Sequence, residues 1–160
     1  MPIMRAFSVT YKFSQRLPLP GRKAYVWCTD YKPNDLSLMN MKGLRQIERI
    51  SGDTIILREV VDRDGKDVKK IKLIKLHPAA LSWHNVQISG PNKYSEFLYQ
   101  IEPIDRRTSK LNFTGIMVIY SKLKLTPRAI RKIASSERRS DSTAWKLLAK
   151  VMAQQLKVIQ

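Results

Sequence analysis

Between about Leu44 and Tyr120 the hydrophobic pattern runs with a period of two, and turn-forming residues interrupt it at short intervals. The interruptions are Ser51-Gly52-Asp53, Asp62 to Gly65, His77-Pro78, Gly90-Pro91-Asn92 and Pro103 to Arg107. Alternation sends successive side chains to opposite faces, so each stretch reads as a strand with one buried face. Breaks this short leave no room for the helical crossover that parallel strands need. The segment is therefore expected to fold as an antiparallel meander of six strands. Asp64-Gly65, between Thr54 to Val61 and Val68 to Leu76, is a hairpin signal, because glycine accepts positive φ without steric cost. Phe97, Tyr99 and Ile101 share one face in a later strand, as do Leu111, Phe113, Met117 and Ile119 in the last.

The flanking segments supply what would cover that sheet. Phe7, Val9, Tyr11 and Phe13 alternate with Ser8, Thr10, Lys12 and Ser14, which predicts a further half-buried strand ahead of the meander. After Leu17-Pro-Leu-Pro-Gly21, Arg22 to Thr29 and Pro33 to Met41 have the character of two short helices. Thr126-Pro127 opens a carboxy-terminal helix, with threonine as cap and proline at the first position, where its missing N–H costs nothing. The polar run Ser135 to Ser142 is expected to interrupt or bend that helix, with a second cap at Ser140 or Asp141. Trp145, Leu148, Met152, Leu156 and Ile159 then form one apolar stripe, flanked by Lys146, Lys150 and Lys157, that must lie on the sheet.

This order of elements, with FSVTYKF in the first strand, AYVWCTDYKPNDLSLM across the short helices, ILREVVDRDGK at the hairpin and AWKLLAKVMAQQL in the last helix, resembles the SRPBCC or START-like superfamily. It is most similar to the small archaeal members, among them proteins that sit on the ribosome. The resemblance implies an α+β helix-grip fold over residues 1–160 as a single domain: a seven-stranded curved antiparallel sheet, two short helices after strand 1 and a long helix packed on the sheet. It also implies two functional branches. One is ribosomal or ribosome-associated. The other is a hydrophobic-ligand carrier or polyketide cyclase-like enzyme, whose cavity would be lined by residues such as Trp83, Phe97, Tyr99, Met117 and Met152.

Charge is the feature that selects between them at this level. The chain has 30 Lys and Arg against 13 Asp and Glu, a net charge of +17, with +8 in residues 1–80 and +9 in residues 81–160. The folded body itself is basic, and such a charge repels itself unless a polyanion neutralises it. Three groups stand out. Lys66, Lys69, Lys70, Lys72 and Lys75 crowd one hairpin, with Lys70 and Lys72 read as facing outward opposite Ile71 and Leu73. Arg106, Arg107 and Lys110 occupy a turn. Lys122, Lys124, Arg128, Arg131, Lys132, Arg138 and Arg139 surround the start of the last helix, where they oppose its dipole. These residues are expected to neutralise phosphates of structured RNA, recognised by shape and backbone. The expected partners are ribosomal RNA and neighbouring ribosomal proteins, with no membrane and no small-molecule substrate.

No catalytic or cofactor role is expected. Cys28, His77 and His84 are read as a buried thiol and two strand histidines, with neither the spacing of a metal site nor an oxyanion motif beside them. Asp62 to Asp67 is a turn and not a calcium loop, since Lys66 stands where a ligand oxygen is needed. Asp30 and Asp35 are read as cap or turn residues. The single cysteine excludes an internal disulfide, the MPIMRAF start lacks a signal-peptide core, and a cytoplasmic location is expected.

Overall fold

The computed structural model describes residues 3–159, the last two by backbone alone, so the expected stripe position Ile159 lies outside the described side chains, as do Met1 and Pro2. The described residues form strand β1 (Arg5–Leu17), helices α1 (Gly21–Thr29) and α2 (Asp35–Leu38), strands β2 (Gly43–Ser51), β3 (Thr54–Arg63), β4 (Lys66–His77), β5 (Ser82–Ser89), β6 (Glu96–Pro103) and β7 (Ser109–Ser121), and helix α3 (Pro127–Ile159). The seven strands make one antiparallel sheet in the order β1-β7-β6-β5-β4-β3-β2. Each meander strand pairs with its sequence neighbour, as short connections require. β1 pairs with β7 from Arg5↔Ser121 to Leu17↔Ser109, so the first strand closes the far edge.

The turn chemistry works as the sequence implies. Asp64 (φ 55°) and Gly65 (φ 79°) both take positive φ between the paired residues Arg63 and Lys66, and the Gly65 N–H donates to Asp62 Oδ1 at 2.9 Å. Thr126 Oγ1 accepts the Ala129 N–H at 3.1 Å and caps α3. The second short helix is a single turn, narrower than Pro33 to Met41.

One expectation about α3 fails. Ser135 to Ser142 does not break it, and the helix runs unbroken for 33 residues, about 50 Å at the usual rise. Polarity alone is no breaker. The run contains neither Gly nor Pro, and Glu137, Arg138 and Arg139 are good helix formers. Asp141, read as a cap, instead accepts a hydrogen bond from Tyr11 on β1.

The inner face of the sheet is set by Val9 and Tyr11 on β1, Ile55, Leu57 and Val61 on β3, Ile74 and Leu76 on β4, Trp83 on β5, Ile101 on β6, and Leu111, Phe113 and Met117 on β7. α3 closes over it with Leu148 and Met152, and packs chiefly along β1. Gly115 lies opposite Tyr11, and a Cβ there would meet the Tyr11 ring at 2.5–2.8 Å. The missing side chain is what allows the ring to lie across β7 and its hydroxyl to reach α3. Gly115→Ala should therefore destabilise the fold by about 1–3 kcal/mol through overpacking. Urea unfolding checks this, and the Tyr11→Leu background should remove much of the penalty.

Candidate functional site

Between sheet and α3 lies a cavity of 450 Å³. Its apolar wall is aromatic. Trp83 stacks on Tyr99 (4.6 Å between centroids, 2° between planes), and Tyr99 meets Phe113 and Trp145 at 5.1 and 6.0 Å. Phe97, Met117, Leu57 and Leu148 complete it. Trp83, Phe97, Tyr99 and Met117 thus line the cavity as the carrier or cyclase-like branch implies, while Met152 is packed into the core.

The remaining wall is charged. Arg45 on β2 bonds Glu59 on β3 at 3.0 Å and Asp35 on α2 at 3.3 Å, with the Arg45 and Glu59 side chains only 8% and 5% exposed. Burial alone would push the Glu59 carboxyl up, but Lys72, Arg45 and Lys70 outweigh it and hold it below the usual range. Asp141 is raised by burial, against the opposing pull of the Tyr11 hydrogen bond and of Lys72, Lys70 and Arg63. Glu137, one turn earlier on α3, is raised by burial and by Asp141. Burial, then Lys72 and Arg63, lower the Lys70 ammonium to about 8. Lys70 is lowered while Glu137 and Asp141 are raised, so these three protonation equilibria lie closer together than in water, whereas burial and Asp141 push the Tyr11 hydroxyl up and keep it a donor to Asp141.

Lys70 and Lys72 line this cavity and do not face outward. Ile71 and Leu73 suggested the opposite phase, but Ile74 and Leu76 further along β4 are the buried members, and they share parity with the two lysines. A bulge at Ile71/Lys72 adds to the local irregularity. The inward charges persist because Glu59 stands across from Lys70 and because Lys72 lies 5.9 Å from the Phe97 ring. Lys75 donates to Thr54 Oγ1 at 2.6 Å, and Lys110 pairs with Glu102 at 3.2 Å. Lys66, Lys69, Arg106, Arg107, Lys122, Lys124, Arg128, Arg131, Lys132, Arg138 and Arg139 are exposed.

Cys28 lines the cavity with its thiol pushed up by burial and by Asp30, which disfavours the nucleophilic thiolate. His77 and His84 face away from it and pair with each other at 3.2 Å. Asp35 accepts the Lys32 N–H at 2.8 Å, a turn role joined to its ion pair. Among the described residues no group of three or more His, Cys, Asp and Glu is placed to hold a metal, and no helix is long and apolar enough to cross a membrane.

Neither a family model nor a curated protein matches the sequence. The structure, in contrast, is similar to solved ones. An aromatase/cyclase, Zhui, from Streptomyces sp. R1128 superposes with a TM-score of 0.73 at 14% identity, covering 96% of each chain. A START superfamily protein from Mycobacterium smegmatis gives 0.71 at 14% identity, over 92% of this chain and 99% of the other. Norcoclaurine synthase from Thalictrum flavum, in complex with dopamine and hydroxybenzaldehyde, gives 0.68 at 9%, over 93% and 88%. The fold is the helix-grip.

These likenesses overturn the expectation of a ribosomal RNA-binding protein with ribosomal-protein partners, and the similarity to ribosome-associated archaeal proteins is not supported. The structural neighbours include an aromatase/cyclase and a synthase with small molecules bound. The helix-grip of this chain keeps an open cavity between sheet and α3 lined by aromatic and charged side chains. Net charge misled because it does not report which lysines face inward.

Tyr11, Arg45, Glu59, Asn85, Gln87 and Asp141 also line the cavity and were not among the expected site residues. Glu59 carried a signal, as the charged member of the inward series Ile55, Leu57, Glu59, Val61. The Tyr11–Asp141 contact joins positions 130 apart and has none.

Asp141 also governs a pH dependence. A carboxyl whose folded pKa is raised costs stability above that pKa, and the cost vanishes below the unfolded value. Asp141→Asn, which keeps a carbonyl for Tyr11, should be more stable than the parent at neutral pH. Its advantage should shrink through the raised pKa and be gone below the ordinary aspartate value of about 4. Urea titrations at a series of pH values check this. An advantage undiminished in acid would exclude carboxylate charge as its source.

Proposed function

We propose that this protein binds a small, largely aromatic molecule between its sheet and α3. The observation that supports this reading is the 450 Å³ cavity, with the stacked Trp83 and Tyr99 on one side and fixed hydrogen-bonding groups on the other. A space of that size, apolar with a few placed polar groups, is what a small-molecule site requires. The neighbours named as aromatase/cyclase and as synthase with dopamine and hydroxybenzaldehyde bound are in keeping with it.

A second reading, a cyclase-like enzyme, draws on the Tyr11–Asp141 hydrogen bond and the adjoining Lys70. Asp141 with raised basicity would take a proton next to a ligand carbonyl, Tyr11 would hold the carboxylate in position, and Lys70 would offer a proton to the developing oxyanion. Under this reading Asp141→Asn abolishes turnover while leaving ligand affinity within a few-fold. Under the carrier reading no turnover exists to lose.

The binding reading is tested by filling the cavity. N-phenylnaphthylamine should bind with one-to-one stoichiometry and quench the tryptophan emission from Trp83 and Trp145. Ala144→Trp, on the α3 side of the cavity, should weaken it by at least about tenfold, the loss expected when a pocket is occluded, without shifting the unfolding transition. Unchanged affinity in that variant would exclude this cavity as the site.

A further inference from the structure

Asn85 is 4% exposed and projects from β5 into the cavity, flanked by Ile74 on β4 and Phe97 on β6. Its Nδ2 donates to the Tyr99 hydroxyl at 3.5 Å, a long contact, and among the described residues its Oδ1 has no partner. Arg45 shows the same deficit. Its two terminal nitrogens are bonded to Asp35 and Glu59, while the buried Nε has no partner among the described residues. Between them stands Tyr31, which enters the cavity wall from a backbone at φ 38° and lies with its ring centroid 6.0 Å from Arg45 Cζ. A side chain rarely adopts that conformation, and its cost is tolerated where the placement serves a site.

Buried polar groups without partners cost stability, and natural chains retain few of them. An amide oxygen and a guanidinium N–H without partners, on two side chains of one cavity wall, are complementary to something that brings its own hydrogen bonds. We infer that Asn85 and Arg45 form a polar subsite for a hydroxylated aromatic ligand, an inference that rests on the small-molecule reading above. The ligand ring lies against the Trp83–Tyr99 stack, its hydroxyl meets Asn85, and a second ligand oxygen accepts from Arg45 Nε. The hydroxyl is specified by the amide itself. With Nδ2 directed at the Tyr99 hydroxyl, the free Oδ1 requires a donor, which a ligand hydroxyl supplies. An ether accepts only, and a hydrocarbon neither donates nor accepts.

The test compares naphthol with methoxynaphthalene substituted at the same carbon, by calorimetry on the intact protein. The parent should prefer naphthol by about tenfold, the worth of one buried hydrogen bond otherwise left unmade. Asn85→Leu, close in volume, should erase that preference by weakening naphthol while leaving methoxynaphthalene binding unchanged, which also reports an intact cavity. Asn85→Asp retains an acceptor and should retain the preference, and it serves as the deciding variant if Asn85→Leu does not fold. A preference that survives Asn85→Leu, or is lost in Asn85→Asp, overturns the subsite while leaving the cavity as a binding site. No preference in the parent does the same. Failure of both probes to bind the parent removes the small-molecule reading and the subsite with it.

Discussion

The concave face of an antiparallel meander must be covered, and everything else in this protein follows from how far one helix can cover it. Alternation delivers Ile55, Leu57, Ile74, Trp83, Ile101, Leu111 and Phe113 to the same side. Each such side chain contributes about 1.5–3 kcal/mol only if water is removed from it. α3 does this along β1 and at its Leu148–Met152 turn. A straight helix cannot touch every strand of a curved sheet. The shortfall is the cavity, bounded by Leu57 and Trp83 from one apolar cluster and by Tyr11, Phe113 and Met117 from the other.

That shortfall explains why charge survives inside. A lysine packed against a filled core would bear the full cost of desolvation, whereas Lys70 and Lys72 border open space and stand near Glu59 and Asp141. The Arg45–Glu59 pair is the more demanding element, since both side chains are nearly inaccessible. A buried pair of this kind rarely adds net stability over well-packed apolar residues. Its presence in the wall suits a group that holds geometry at a site, with Asp35 tying the guanidinium back to α2. Strain at Tyr31 and the missing side chain at Gly115 are of the same kind: both place an aromatic residue in the wall at some cost to the backbone or to packing.

Much of the architecture was legible because local rules and tertiary structure agree. The period of two, Asp64-Gly65 and Thr126-Pro127 each signal an element that forms. The continuity of α3 was not legible, because a serine- and arginine-rich run is compatible with either outcome and contact with β1 decides. The face of Lys70 and Lys72 was misread for a related reason. With Ile71 and Leu73 apolar on the opposite parity, strand phase near the bulge is ambiguous until Ile74 and Leu76 are known to be the buried pair. The site itself was the least legible part. Glu59 interrupts the inward apolar series of β3, a pattern visible in the chain, but the inward positions of β5 are Trp83, Asn85 and Gln87, mostly polar, and nothing local joins Tyr11 to Asp141 or Arg45 to Asn85.

The cavity also shows why net charge was a poor guide to function. Among the described residues its wall carries Lys32, Arg45, Arg63, Lys70 and Lys72 against Asp30, Asp35, Glu59, Glu137 and Asp141, so its formal charges balance. The excess of +17 therefore belongs to the exterior. An external excess affects solubility and encounter with charged bodies. It sets no requirement on what the interior accepts. Inside, burial decides: Lys70 loses its charge more readily than an exposed lysine, and Asp141 keeps its proton longer than an exposed aspartate even against the pull of its basic neighbours. The opposite shifts bring the protonation equilibria of these two groups closer together than in water. That condition arises from burial and pairing on the inner face and would persist if every exposed lysine were neutral.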